Sequence, residues 1–193
     1  MLLMTVVFAI QFLGDPHQNY LTGLILKNPP SYNGFLGYLW LHTSLLHIVG
    51  NLVTLAVFGR YVSVKVGAAK YFFIYIVLGY AAAFAHVLLD GRPVIGASGA
   101  IYGILGMAVV LSYRKFSLFG PWLILIWIAV SLATAVVGDS SDAYIAHIAG
   151  FIAGMIIATI LAVCNLADHS DTDPSLERII IQTIEKKQKQ QVL

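Results

Sequence analysis

Two side chains that can act as a nucleophile and a base lie near the ends of two different apolar segments of this 193-residue chain. Ser98 lies in the sequence GASG, and His147 lies in the sequence AHIAG. A serine hydroxyl is a weak nucleophile at its free pKa and needs an adjacent base. If the two segments meet, the pair predicts a site for peptide-bond hydrolysis inside a membrane.

The composition indicates an integral membrane protein. Hydrophobic residues make up 59% of the chain and charged residues only 10%, whereas soluble domains are about one quarter charged. The net charge of +2 and the scattered basic residues argue against a nucleic-acid partner. The single cysteine, Cys164, excludes a disulfide within the chain and a cysteine-rich metal cluster.

Six apolar runs predict an all-α, polytopic bundle of six transmembrane helices, because lipid leaves the backbone no partner outside a helix. The runs occupy residues 1–13, 36–58, 71–89, 97–113, 121–137 and 143–163. The first run is shorter than the roughly 20 residues that cross a bilayer, so we expect its helix to be truncated and to have native residues upstream.

The chain divides by composition into a membrane domain, residues 1–165, and a polar tail, residues 166–193. In the tail, Asp173 is a candidate N-cap and Pro174 a candidate first helical residue. An apolar face at helical spacing follows, formed by Leu176, Ile179, Ile180 and Ile184. This pattern fits an interfacial amphipathic helix, and it fits a solvated, partly frayed tail equally well.

Basic residues are distributed unequally between the two sets of loops. One set, with the tail, holds Arg60, Lys65, Lys70, Arg114, Lys115, Arg178, Lys186, Lys187 and Lys189, and the other holds Lys27 and Arg92. The positive-inside rule places the richer set in the cytoplasm. We therefore expect a multi-pass protein of a prokaryotic plasma membrane with a cytoplasmic C-terminus. Ser98 and His147 then share the outer side.

Glycines surround both candidate catalytic residues. Gly96 and Gly99 flank Ser98, and Gly150 and Gly154 follow His147 on its helical face. Small residues let two membrane helices approach closely, which would bring the serine to the histidine. Each residue also has a simpler interpretation: Ser98 as a helix N-cap, and His147 as a buried group making one interhelical hydrogen bond.

The second apolar run carries a third polar group, formed by His42, His47 and Asn51. His47 and Asn51 are four residues apart and share a helical face. Both can donate hydrogen bonds to an oxyanion together with the backbone N–H of Ser98. Paired histidines also ligate zinc, but the sequence His-Glu-x-x-His is absent and no carboxylate is near. No metal or cofactor is expected.

These motifs together resemble the rhomboid family of intramembrane serine proteases over residues 35–163. The resemblance implies Ser98 as nucleophile, His147 as general base, and His47 and Asn51 as oxyanion donors. His42 resembles a structural histidine of the family, and the supporting positions are Tyr102, Gly96, Gly99, Gly150 and Gly154. The Trp-Arg pair that many members carry in the first loop is not present. The family cleaves transmembrane segments of other proteins, so the implied partners are such substrates and the lipid bilayer.

Two other functions compete with this interpretation. A non-catalytic rhomboid relative would bind transmembrane clients, but such proteins lack the serine or the histidine. A small transporter would need an ionisable carboxylate or an internal repeat at the midplane, and the sequence has neither. The oligomeric state is not predicted.

The charge bias generates a test of orientation at Cys164, which the apolar pattern places at the inner end of the last helix. We expect a membrane-impermeant thiol reagent to leave Cys164 unlabelled in intact cells and to label it after the membrane is opened. Labelling of the intact cells would show that the topology is inverted.

Overall fold

The computed structural model describes residues 1–13, 21–112 and 144–167, which are mostly helical. The helices are α1 (Leu2–Leu13), α2 (Tyr32–Gly37), α3 (Leu45–Thr54), α4 (Arg60–Val66), α5 (Ala68–Leu89), α6 (Ser98–Ser112) and α7 (Tyr144–Val163). Short 3₁₀ turns lie at Thr22–Leu24 and Tyr38–Trp40. Among these residues, extended pairing is limited to an isolated antiparallel bridge between Leu26 and Val94.

Three helical segments in the described ranges are long and apolar enough to cross a membrane: Leu45–Val66, Ala68–Leu89 and Tyr144–Val163. α1 and α6 are shorter apolar helices. The predicted span at 121–137 and the predicted tail helix lie outside the described residues. The count of six spans and the division into a membrane domain and a tail therefore stay predictions.

The predicted second span, 36–58, is wrong in its boundaries. The helix begins after Ser44, whose hydroxyl accepts a hydrogen bond from the backbone N–H of His47 at 3.2 Å, as an N-cap does. The preceding apolar residues form a 3₁₀ turn whose Tyr38 and Leu39 enter the core. His47 consequently lies in the first turn of the helix, close to its N-terminus, and not in the middle of a longer span.

The same helix also continues past its predicted end. A five-residue π-helical turn, Leu55–Gly59, joins α3 to α4 without a break. The helix ends only at Gly67, whose φ of 87° is in the left-handed region that favours glycine. Arg60 and Lys65 are thus part of the spanning segment. Their charges are tolerated there because long basic side chains can reach the interface from within a helix.

α6 is the central helix of the described bundle. All its residues from Gly99 to Ala108 are buried. α7 instead presents an exposed apolar stripe, formed by Ile148, Ile152, Ile156 and Ile160. A stripe of this kind is unusual on a soluble protein and suits contact with lipid. The packed side of α7 therefore faces α6.

Glycines bring the main chains of α6 and α7 into direct contact. A Cβ atom at Gly150 would overlap the carbonyl oxygen of Gly99, and one at Gly154 would overlap that of Gly103. A Cβ at Gly106 would likewise overlap the carbonyl oxygen of Phe151. This is the close approach that the small residues predict.

The far end of α7 is fastened to the start of α5. Asn165 has a φ of 54°, and the backbone N–H of Leu166 bonds the carbonyl of Leu161 at 2.8 Å, as in a Schellman motif. The Lys70 ammonium donates to the Leu166 carbonyl at 2.8 Å. A cation at a helix C-terminus also opposes the negative end of the helix dipole. This contact joins the N-terminal end of α5 to the C-terminal end of α7.

The glycine contacts predict that Gly154→Ala separates α6 from α7, because the new methyl group would meet backbone that cannot rotate away. We expect the free energy of unfolding to fall by about 1–3 kcal/mol or more, measured by thermal unfolding in detergent. Gly50→Ala is the matched control, since a Cβ at Gly50 has nothing within 4 Å and alanine favours a helix. Equal melting temperatures for the two variants would contradict the prediction.

Candidate active site

The structure brings Ser98 and His147 together. The Oγ atom of Ser98 lies 2.7 Å from Nε2 of His147. Ser98 is the first residue of α6 and His147 is in the first turn of α7, so the glycine contacts between these helices set the distance. Both side chains are partly buried. A serine hydroxyl within hydrogen-bond reach of an imidazole is the geometry of an activated nucleophile.

Tyr102 orients the imidazole. Its ring stacks on that of His147 with centroids 4.3 Å apart and planes 9° from parallel. Nδ1 of His147 is buried and makes no hydrogen bond to any described residue. Within these ranges, a flat aromatic contact therefore holds the ring where a carboxylate holds it in a triad.

The segment that leads into Ser98 is fixed from three directions. Leu26 and Val94 exchange two backbone hydrogen bonds of 3.2 and 2.9 Å. The backbone N–H of Gly96 donates to the carbonyl of Tyr38 at 2.8 Å. Nε2 of His86 lies 2.9 Å from the Arg92 carbonyl, and it must donate because a carbonyl only accepts.

An ion pair lies at the start of this segment, where the chain leaves α5. The Arg92 guanidinium makes two hydrogen bonds, of 2.6 and 2.9 Å, to the carboxylate of Asp90. These bonds hold the pKa of Asp90 below its usual range. Asp90 directly follows α5, so the pair fixes the turn at which the chain leaves that helix.

Ser98 lies well below the C-terminal end of α5. A Cβ at Gly99 would lie 2.7 Å from Cβ of Ala82, and Gly103 packs in the same way on Leu78. Ala82 is seven residues before Leu89, the last residue of α5. At about 1.5 Å per residue, the start of α6 is about 10 Å below the end of α5. The candidate site is therefore recessed toward the membrane.

His47 lies beside Ser98 across Gly96. A Cβ at Gly96 would be 2.9 Å from Nε2 of His47 and 3.9 Å from Oγ of Ser98. The φ of Gly96 is 118°, a value that L side chains rarely adopt. Thr43 Oγ1 lies 3.1 Å from Nδ1 of His47. The bare glycine leaves room for the imidazole to approach the serine.

The side chain of Asn51 contacts His42. Its side-chain Nδ2 lies 3.0 Å from Nε2 of His42, and both residues are buried. The rings of His42 and His47 meet edge to face, with centroids 5.0 Å apart. Asn51 thus contacts the site through His42 and His47. The oxyanion role inferred for Asn51 stays a prediction.

Gln11 is a supporting residue that the sequence analysis missed. Its side-chain amide makes two hydrogen bonds to the main chain of His42: Nε2 donates to the carbonyl at 2.7 Å, and Oε1 accepts from the N–H at 3.1 Å. The available signal was a glutamine in the largely apolar run 1–13, since polar groups in such runs are rarely without a partner. This contact joins α1 to the loop before α3.

The described ranges contain no group of three or more His, Cys, Asp or Glu side chains that could hold a metal ion. The arrangement of Ser98, His147 and His47 instead offers a nucleophile, a base and a donor around one helix N-terminus.

Apolar helices, a lipid-compatible surface and polar side chains grouped at one depth define a polytopic integral membrane protein. The Rhomboid domain family model matches residues 29–164. The chain belongs to the rhomboid family.

Relatives from distant organisms share this domain. Rhomboid protease GluP of Bacillus subtilis is 33% identical over 125 residues, 63% of this chain and 24% of that protein. Rhomboid protease GlpG of Haemophilus influenzae is 27% identical over 128 residues, 63% of this chain and 66% of that protein. RHOMBOID-like protein 1 of Arabidopsis thaliana is 24% identical over 131 residues, and the match spans only 33% of its length.

Proposed function

We propose that this protein is an intramembrane serine endopeptidase that cleaves peptide bonds in or near transmembrane segments of other proteins. The observation that supports this most strongly is the 2.7 Å contact between Ser98 Oγ and His147 Nε2 at a recessed helix N-terminus. Membership of a family that includes relatives named rhomboid proteases supports the same reaction.

In the proposed mechanism, His147 Nε2 takes the Ser98 hydroxyl proton as Oγ attacks the scissile carbonyl carbon. The tetrahedral intermediate carries the charge on the former carbonyl oxygen. As it collapses, the C–N bond breaks, His147 gives its proton to the leaving amine, and an acyl-enzyme ester forms on Ser98. A water molecule, deprotonated by His147, then hydrolyses the ester and restores the serine.

The oxyanion is proposed to lie between the start of α6 and His47. The first N–H groups of a helix have no partner within it, and they carry the positive end of its dipole. A hydroxyl proton from Thr43 to Nδ1 of His47 would leave the hydrogen on Nε2, the atom nearest Gly96. His47 is then a donor at the place where negative charge develops.

The proposed substrates are membrane proteins, because the site opens about 10 Å inside the end of a spanning helix. A cytoplasmic C-terminus and a prokaryotic plasma membrane stay predictions. Catalysis needs no metal or cofactor in this mechanism.

The reaction predicts that a fluorophosphonate probe labels the protein at Ser98. Ser98→Ala should abolish labelling and cleavage of a transmembrane model substrate, and His147→Ala should reduce both as severely because the two groups act as a unit. Ser112→Ala, at the other end of α6, is the control that should keep both. Melting temperatures in detergent verify folding. Substantial turnover by folded Ser98→Ala would exclude the serine mechanism and favour a client-binding role.

The oxyanion proposal predicts that His47→Ala and Asn51→Ala each lower kcat on the order of 10- to 1000-fold with little change in KM. Donors that act only on the developing charge affect the chemical step more than substrate affinity. Turnover and KM should be measured separately for each variant.

His42→Ala separates the two roles open to Asn51, since it breaks the same buried hydrogen bond and leaves the asparagine in place. If Asn51 is an oxyanion donor, Asn51→Ala lowers kcat more than His42→Ala does, although the two variants lose the same amount of melting temperature. Equal losses of kcat would make Asn51 a structural residue only.

A further inference from the structure

A cavity lies between α1, the α3–α4 helix and α5, and Ser98 is not in its lining. Its volume is about 420 Å³, within the roughly 300 to 1,000 Å³ typical of small-molecule sites. The walls come from α1, from the π-helical turn with the start of α4, and from the first turns of α5; they include Met4, Leu55, Ala56, Arg60, Tyr71 and Phe72. None of these residues takes part in the proposed mechanism.

The π-helical turn shapes one wall of this cavity. Leu55, Ala56 and Gly59 all belong to the turn and all line the cavity. A Cβ at Gly59 would lie 2.5 Å from the Tyr71 hydroxyl oxygen, so the glycine lets that hydroxyl lie against the helix. π-Helical turns are rare in proteins, and they are frequently found at functional sites.

Arg60 is the one charged side chain in the cavity lining, which also includes Met1. Its side chain is exposed, and no carboxylate among the described residues forms a salt bridge with it. Ser63 and Tyr71 add hydroxyl groups close to it in the lining. The cavity therefore combines apolar walls with a guanidinium group and two hydroxyl groups.

Arg60 also lies toward one end of a membrane span. It is six residues before Val66, the last residue of the segment Leu45–Val66, and a long arginine side chain reaches the headgroup level from such a position. Lipid phosphates are concentrated at that level, and a guanidinium binds phosphate through two parallel hydrogen bonds. Basic pockets between membrane helices are known to take anionic headgroups.

We propose that this cavity binds one anionic phospholipid, with the phosphate on Arg60 and an acyl chain along Leu55, Ala56 and Phe72. The apolar wall recognises the chain, and the excess positive charge selects an anionic over a zwitterionic headgroup. The bound lipid joins α1 to the α3–α4 helix and to α5, so it stabilises the fold.

The test uses the detergent-purified full chain titrated with dioleoyl-phosphatidylglycerol or dioleoyl-phosphatidylcholine. Bound lipid is counted by native mass spectrometry, and melting temperature is followed in parallel. We expect one retained phosphatidylglycerol and a higher melting temperature, and neither with phosphatidylcholine. Arg60→Gln should weaken phosphatidylglycerol binding about 10-fold or more, the effect of losing charge-assisted hydrogen bonds, and Arg60→Lys should weaken it less.

Two further variants locate the site. Ala56→Phe fills the cavity from a position that is exposed, so the fold tolerates it, and it should weaken binding while Arg60 is intact. Lys65→Gln removes a nearby charge that is not in the lining and should change nothing. Equal losses from Lys65→Gln and Arg60→Gln, no loss from Ala56→Phe, equal binding of the two lipids, or the same stabilisation by inorganic phosphate would each overturn the proposal.

Discussion

The direct contact between the main chains of α6 and α7 is the constraint on which the candidate site depends. Side chains between two helices normally keep their axes 8–10 Å apart or more. Here Gly106, Gly150 and Gly154 have none, and each meets a backbone carbonyl of the facing helix. Because Ser98 begins one helix and His147 lies in the first turn of the other, their separation follows from this contact. The glycine contacts fix the backbone positions of the two residues, and the stacked Tyr102 ring then sets the orientation of the His147 imidazole.

A second layer of hydrogen bonds fixes the parts that the helices alone leave free. The turn before Ser98 is held by the backbone of Leu26 and Tyr38 and by the imidazole of His86. Thr43 contacts the imidazole of His47, and Ser44 accepts a hydrogen bond from the backbone N–H of His47. Gln11 holds the main chain of the preceding loop at His42. Each bond satisfies a polar group that lipid would leave unpaired. Among the described residues, these hydrogen-bonded polar side chains surround the approach to Ser98.

The helical class, the membrane location and the approach of Ser98 to His147 were predictable because each rests on a short-range pattern: long uncharged runs, and glycines at helical spacing. The start of α3 was not, because the apolar run 36–44 looks the same whether it continues a helix or folds into the core, and one Ser44 hydroxyl decides it. The bond from Asn51 to His42 and the clamp from Gln11 were missed for a related reason. Hydropathy counts polar residues but does not say which partner each one takes.

The recess of Ser98 below the end of α5 has a consequence for the supply of water. An acyl-enzyme in the proposed mechanism consumes one water molecule in every cycle, and that molecule must reach a depth of about 10 Å among apolar helices. The two halves of the cycle then differ in what they need, because only hydrolysis of the ester requires water in the recess. In that mechanism the lifetime of the ester depends on how readily water enters the recess, where the polar groups of Thr43 and His47 lie beside the serine.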